Sequence, residues 1–92
     1  MTGKSAWGLV EVKGLAGAAA AAEAMRKERG LSGLRAKSLG SRMAILVQGS
    51  QNDVSDAVKA GAAAAQRLGV LVSSAVMEDL DPGIAELLFG SH

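Results

Sequence analysis

The sequence predicts an α+β fold: a ferredoxin-like, four-stranded antiparallel sheet with two alanine-rich helices on one face and a short C-terminal helix. Three observations predict it. First, the chain repeats: Leu9-Val10-Glu11-Val12-Lys13-Gly14 before one alanine-rich run matches Ile45-Leu46-Val47-Gln48-Gly49 before another. Second, each half reads as strand, helix, strand. Third, the stretch opening at Lys37-Ser38-Leu39-Gly40-Ser41 suits a tight turn between two strands, with Gly40 free to take a backbone conformation barred to most residues.

Ala6 to Val12 reads as the first strand, given β character by Leu9, Val10 and Val12 and ended by Lys13-Gly14. Leu15 to Arg29 reads as a helix, with Leu15, Ala18, Ala19, Ala22 and Met25 on one face, Glu23 and Lys27 four apart in the favourable order, and Gly30 as its stop. Leu31 to Lys37 is a weak second strand, diluted by Ser32 and Gly33. It pairs back on a third, Met43 to Gln48, whose apolar run marks it as buried. Ser50 caps a second helix, with Asp53 three positions on, and Val54, Ala57, Val58, Gly61, Ala62, Ala65 and Leu68 share its inner face up to Gly69. Gly61 costs that helix about 1 kcal/mol against alanine, so it marks a close approach to the sheet or a neighbour. Val70 to Met77 is the fourth strand, and Asp81-Pro82 opens a last helix, Gly83 to Phe89.

The 92 residues make one domain, taken as 1–92. A chain this short buries only about 60–65% of its unfolded surface, and without cysteine it has no disulfide to compensate. Yet 49% of the residues are hydrophobic, eighteen of them alanine, and only Trp7 and Phe89 are aromatic. That combination favours a subunit which completes its burial against copies of itself. The formal charge of +1 is spread without a basic stripe, and no aromatic platform for bases exists, so nucleic acid is not expected as a partner. Nor is a membrane: no apolar run approaches the ~20 residues that span one, and Met1 to Ala6 lacks a signal-peptide core. A cytoplasmic protein is expected.

Candidate chemistry is sparse. Gly14-Leu15-Ala16-Gly17 has the look of a phosphate-binding turn but holds only half of the dinucleotide fingerprint, and close helix–sheet packing explains it more simply. Glu78, Asp79 and Asp81 carry charge enough for a hard cation, yet a solvated loop that caps the last helix accounts for them. His92, the only histidine, is the last residue, and Trp7 reads as a strand packing residue. With no second histidine and no cysteine, no nucleophile–base pair can be assembled. No catalytic residue, metal or cofactor is expected, and the chain does not read as an enzyme.

Three motifs in order, Gly8-Leu9-Val10-Glu11-Val12-Lys13-Gly14-Leu15, Ala22-Glu23-Ala24-Met25-Arg26-Lys27 and Val58-Lys59-Ala60-Gly61-Ala62-Ala63-Ala64-Ala65, resemble the shell proteins of bacterial microcompartments, in their single-domain, hexamer-forming type. The resemblance covers roughly residues 5–89. It implies a structural subunit that forms flat cyclic homohexamers, which tile edge to edge into the wall of a protein-bounded organelle in the cytoplasm. Other shell proteins, encapsulated enzymes and small metabolites passing a pore would be its partners. In that family the hairpin tip lines the pore on the sixfold axis. One register places the tip at Leu39, Gly40 and Ser41, the other at Gly40, Ser41 and Arg42. A ring of leucines would narrow the pore, and a ring of arginines would attract anions. Lys27 matches the lysine with which the family contacts the next hexamer. One departure stands out: where the family often has Pro-Arg-Pro-His, this chain has Glu78-Asp79-Leu80-Asp81, which puts tiling, and even the ring, in question. The competing reading is a small ferredoxin-like ligand-binding or regulatory oligomer that uses the Gly14 turn as an anion site.

Overall fold

The structure, a computed structural model, describes residues 5–90. Its elements run β1 (Ser5–Lys13), α1 (Gly14–Arg26), β2 (Leu31–Leu39), β3 (Arg42–Ser50), α2 (Gln51–Arg67), β4 (Leu71–Glu78) and α3 (Pro82–Phe89). The strands form one sheet in the order β2-β3-β1-β4, every neighbouring pair antiparallel. This is the expected α+β architecture. His92 lies outside the described residues.

Side-chain alternation along β1 divides the sheet into two faces. Ala6, Gly8, Val10 and Val12 are buried beneath both helices, together with Ile45 and Val47 of β3. The helices descend unusually close, because glycines stand where they meet. A Cβ on Gly8 would lie 2.6 Å from Val58 and 2.8 Å from both Val47 and Val54. One on Gly61 would lie 2.5 Å from Met25 Sδ of α1 and 3.3 Å from Val10. Gly61 thus marks a close approach, as its place in the helix suggested.

The inner face of α1 differs from the one expected. Gly17, Ala18, Ala21 and Met25 are buried, while Leu15 and Ala19 face outward. Gly17 causes the rotation: a Cβ there would sit 2.5 Å from Val70 and 3.3 Å from Val12, so its bare backbone edge lies on the sheet. On α2 the buried set is Val54, Ala57, Val58, Gly61, Ala64 and Ala65, and Leu68 falls past the helix end as an exposed cap.

α1 also stops at Arg26, three residues before the expected end. Gly30 does not end it. The Asp53 carboxylate occupies the space a Gly30 side chain would need, so this glycine makes room for the start of α2. There the Ser50 hydroxyl accepts from the Asp53 amide at 3.3 Å, the serine cap expected from the sequence, and donates to the Asp53 carboxylate at 2.7 Å. Asp81 likewise caps α3, accepting from the Gly83 amide at 2.8 Å with Pro82 in the first turn.

Candidate functional site

The hairpin tip is a two-residue loop, Gly40-Ser41, flanked by the cross-strand pair Leu39 and Arg42. Gly40 has a φ of +72° and Ser41 does not share its sign, the pattern of a type II′ turn, whose twist suits the flanking strands. The tip is pinned. The Gly14 amide donates to the Ser41 carbonyl at 3.2 Å, and the Lys13 amide to the Val70 carbonyl at 3.0 Å. The start of α1, the hairpin tip and the α2–β4 turn therefore meet at one end of the molecule. The Gly14 amide is consumed in this contact rather than offered to a phosphate, and Gly17 packs against the sheet, so the turn is a packing device.

That end carries large apolar side chains that the described residues leave exposed. Leu15 is 74% exposed, Leu68 54% and Leu39 46%. Complete burial is worth about 1.5–3 kcal/mol to a leucine, and these three forgo roughly half to three quarters of it. Both sheet edges are open as well: β2 is almost wholly exposed from Leu34 onward, and β4 from Ser73 to Val76.

Arg42 shares the open face of the sheet with Leu39, yet its guanidinium does not stand at the tip. Its Nη1 donates to Glu11 Oε2 at 3.3 Å, and Ser73 Oγ donates to Glu11 Oε1 at 2.9 Å. Sequence reasoning misses Glu11 because its role depends on strand register. The only available signal is a lone charge within an apolar strand.

At the far end of α1, Lys27 is an exposed C-cap residue. The expected Glu23–Lys27 pair is replaced by Glu23–Arg26, with Arg26 Nε donating to Glu23 Oε1 at 3.2 Å and Nη2 to the other oxygen. Arg26 is the last residue of the helix and its planar fork grips both oxygens, whereas Lys27 has already left the helix. The hydrogen bond and charge of Arg26 hold the Glu23 carboxyl below its ordinary range. Lys27 forms no ion pair among the described residues.

The acidic segment is mostly engaged locally. Gln51 Nε2 donates to Glu78 Oε2 at 2.6 Å, Asp79 adopts a positive φ of 51°, and Asp81 caps α3. Among the described residues no group of three histidine, cysteine, aspartate or glutamate side chains is placed to hold a metal, and no helix is long and apolar enough to cross a membrane. Trp7 is half-buried on the open face, between two shallow grooves, one reaching Arg35 and Leu46 and the other Pro82 and Ala85 of α3.

The BMC domain family matches residues 6–80. Among solved structures, a microcompartments protein from Desulfitobacterium hafniense DCB superposes with a TM-score of 0.77 at 26% identity, over 90% of this chain and 46% of that one. The present chain thus spans about half the length of that protein. MupZ from Pseudomonas fluorescens superposes with a TM-score of 0.56 at 12% identity, covering 83% of this chain and 68% of MupZ, a likeness of fold alone.

Proposed function

Since this chain belongs to the BMC domain family, we propose that it is a structural shell subunit of a bacterial microcompartment. It forms a single domain over residues 1–92, closes head-to-tail into a cyclic homohexamer and tiles into the shell wall within the cytoplasm. Its partners are further copies, other shell proteins, the enclosed enzymes and the small metabolites that cross an axial pore. It performs no catalysis of its own. The hairpin tip, Leu39, Gly40, Ser41 and Arg42, lines that pore, and Lys27 stands at the perimeter against the next hexamer.

The observation that carries this reading is the convergence of exposed Leu15, Leu39 and Leu68 at the end bearing the pinned hairpin tip. Copies arranged around an axis through that end would cover all three. The backing-off of Arg42 toward Glu11 favours Leu39 over Arg42 at the rim. For the perimeter, an exposed Lys27 ammonium with no ion pair among the described residues is suited to a contact with a neighbour.

Native mass spectrometry tests the ring, with a six-chain species expected at micromolar chain concentration and a monomer refuting it. Negative-stain microscopy tests the perimeter: wild type should form sheets or tubes, and Lys27→Asp should keep the ring while losing the layers. Rings that never form layers would mean that the acidic Glu78-Asp79 segment has displaced the edge contact and that Lys27 has no perimeter role.

A further inference from the structure

Glu11, Arg42 and Ser73 come together on the open face from three different strands. Arg42 pairs with Lys13 across β1, so Glu11 lies two residues farther from the turn. The arginine side chain must therefore lean back along the sheet by about 6–7 Å, the rise of two strand residues, to reach it. Both carboxylate oxygens of Glu11 are taken, one by Arg42 and one by Ser73. The Glu11 side chain is only 19% exposed and the Arg42 side chain 51%. The carboxylate is thus the fixed member and the arginine the one that can move.

We propose that Glu11, held by Ser73, is the counter-ion that keeps the Arg42 guanidinium on the sheet and off the hairpin tip, and so sets the affinity of the tip for small oxyanions. This rests on the axial-pore reading, because the resting place of Arg42 bears on passage only where copies of the tip converge. With Glu11 in place each copy presents Leu39 and a neutralised arginine. Without it, each copy has a cation beside the turn, within a screening length of its neighbours, and bound oxyanions relieve their repulsion. An ion pair this open on one side is also weak enough for an oxyanion to compete for the arginine.

The test is isothermal titration of the purified assembly with pyrophosphate at fixed ionic strength, comparing wild type, Glu11→Gln, Arg42→Gln and the double variant. Glu11→Gln should bind about tenfold more tightly than wild type, the scale of one additional charge-assisted hydrogen bond, and the double variant should lose that advantage. Ser73→Ala, which alters no charge, should shift affinity in the same direction by less. Binding by Glu11→Gln no tighter than wild type, or tighter binding that survives without Arg42, overturns the proposal. Should Glu11→Gln fail to fold, an affinity unchanged in Ser73→Ala overturns it instead. Stoichiometry keeps the two readings apart. One pyrophosphate per ring supports the axial site. Arg42-dependent tightening with one pyrophosphate per chain leaves Glu11 as the counter-ion and refutes the pore.

Discussion

The two faces of the sheet are built on opposite terms. Beneath the helices, every position is decided within the chain: glycines stand where two backbones approach, valines fill the gaps, and Met25 is completely buried between α1 and α2. At the hairpin end Leu15, Leu39 and Leu68 are exposed, both edge strands lack an outer neighbour among the described residues, and on the open face Arg42 reaches Glu11 through its long side chain. The first region is a finished core and the second an unfinished one. The first can be accounted for within the chain, whereas nothing among the described residues covers the second.

The largest expected effect lies in the finished core. Met25→Ala removes a fully buried side chain at the crossing of the two helices and should destabilise the fold by about 2–5 kcal/mol. Urea unfolding at fixed chain concentration measures it. A cost under about 1 kcal/mol would mean that α1 and α2 collapse freely, and that Gly61 is not holding them at a set distance.

A matched pair of glycine substitutions sharpens the contrast. In Gly8→Ala the new methyl meets Val47, Val54 and Val58, branched side chains on two elements, none of which can swing aside. The expected loss is about 1–3 kcal/mol. In Gly33→Ala the methyl meets nothing within 4 Å, and the same change should fall within about 0.5 kcal/mol of wild type. If both variants cost alike, backbone conformation and not the closeness of the covered face sets the loss.

That division also explains what is legible in the sequence. The Ser50–Asp53 cap, the Asp81-Pro82 helix start, the Gly40 turn and the meaning of Gly61 are readable because each is a local rule or lies in the finished core. The inner face of α1 is not, because its alanines are nearly interchangeable by periodicity, and Gly17, a position without a hydrophobic side chain, decides the rotation. Hydrophobicity alone puts Leu15 inside, and an exposed leucine carries the same letter as one in the core. The turn residues of the candidate site can be read. Glu11 cannot, since its partners lie 31 and 62 positions away and only register brings them together.

Removing the exposed leucines should have little effect on the chain and a large one on assembly. Leu15→Ser combined with Leu68→Ser deletes no contact of the buried cluster. On the ring reading the variant loses mass by native mass spectrometry, and the wild type unfolds at a midpoint that rises with chain concentration while the variant does not. Equal masses for both would detach these leucines from any interface.

The smallest effect comes from a contact that belongs to neither region, the exposed Glu23–Arg26 pair at the end of α1. Arg26 lowers the carboxyl of Glu23 chiefly by its hydrogen bond and secondarily by its charge, with Lys27 adding a minor pull. A carboxylate held low in the folded state contributes stability above the pKa it has in the unfolded chain and loses it as pH falls through the lowered folded value. Its contribution is therefore present at neutral pH and disappears only in acid. Wild type minus Arg26→Gln, followed by thermal unfolding from about pH 7 to about pH 2, should give a small positive difference that shrinks toward zero at the acid end. Salt should diminish it at neutral pH, since the pair is open to solvent. A difference that persists unchanged in acid would trace to the packing of the Arg26 stem against its own helix. A difference that grows in acid has the wrong sign for any carboxylate partner, since protonation removes such a bond, and would rule out ion pairing as the source of the effect.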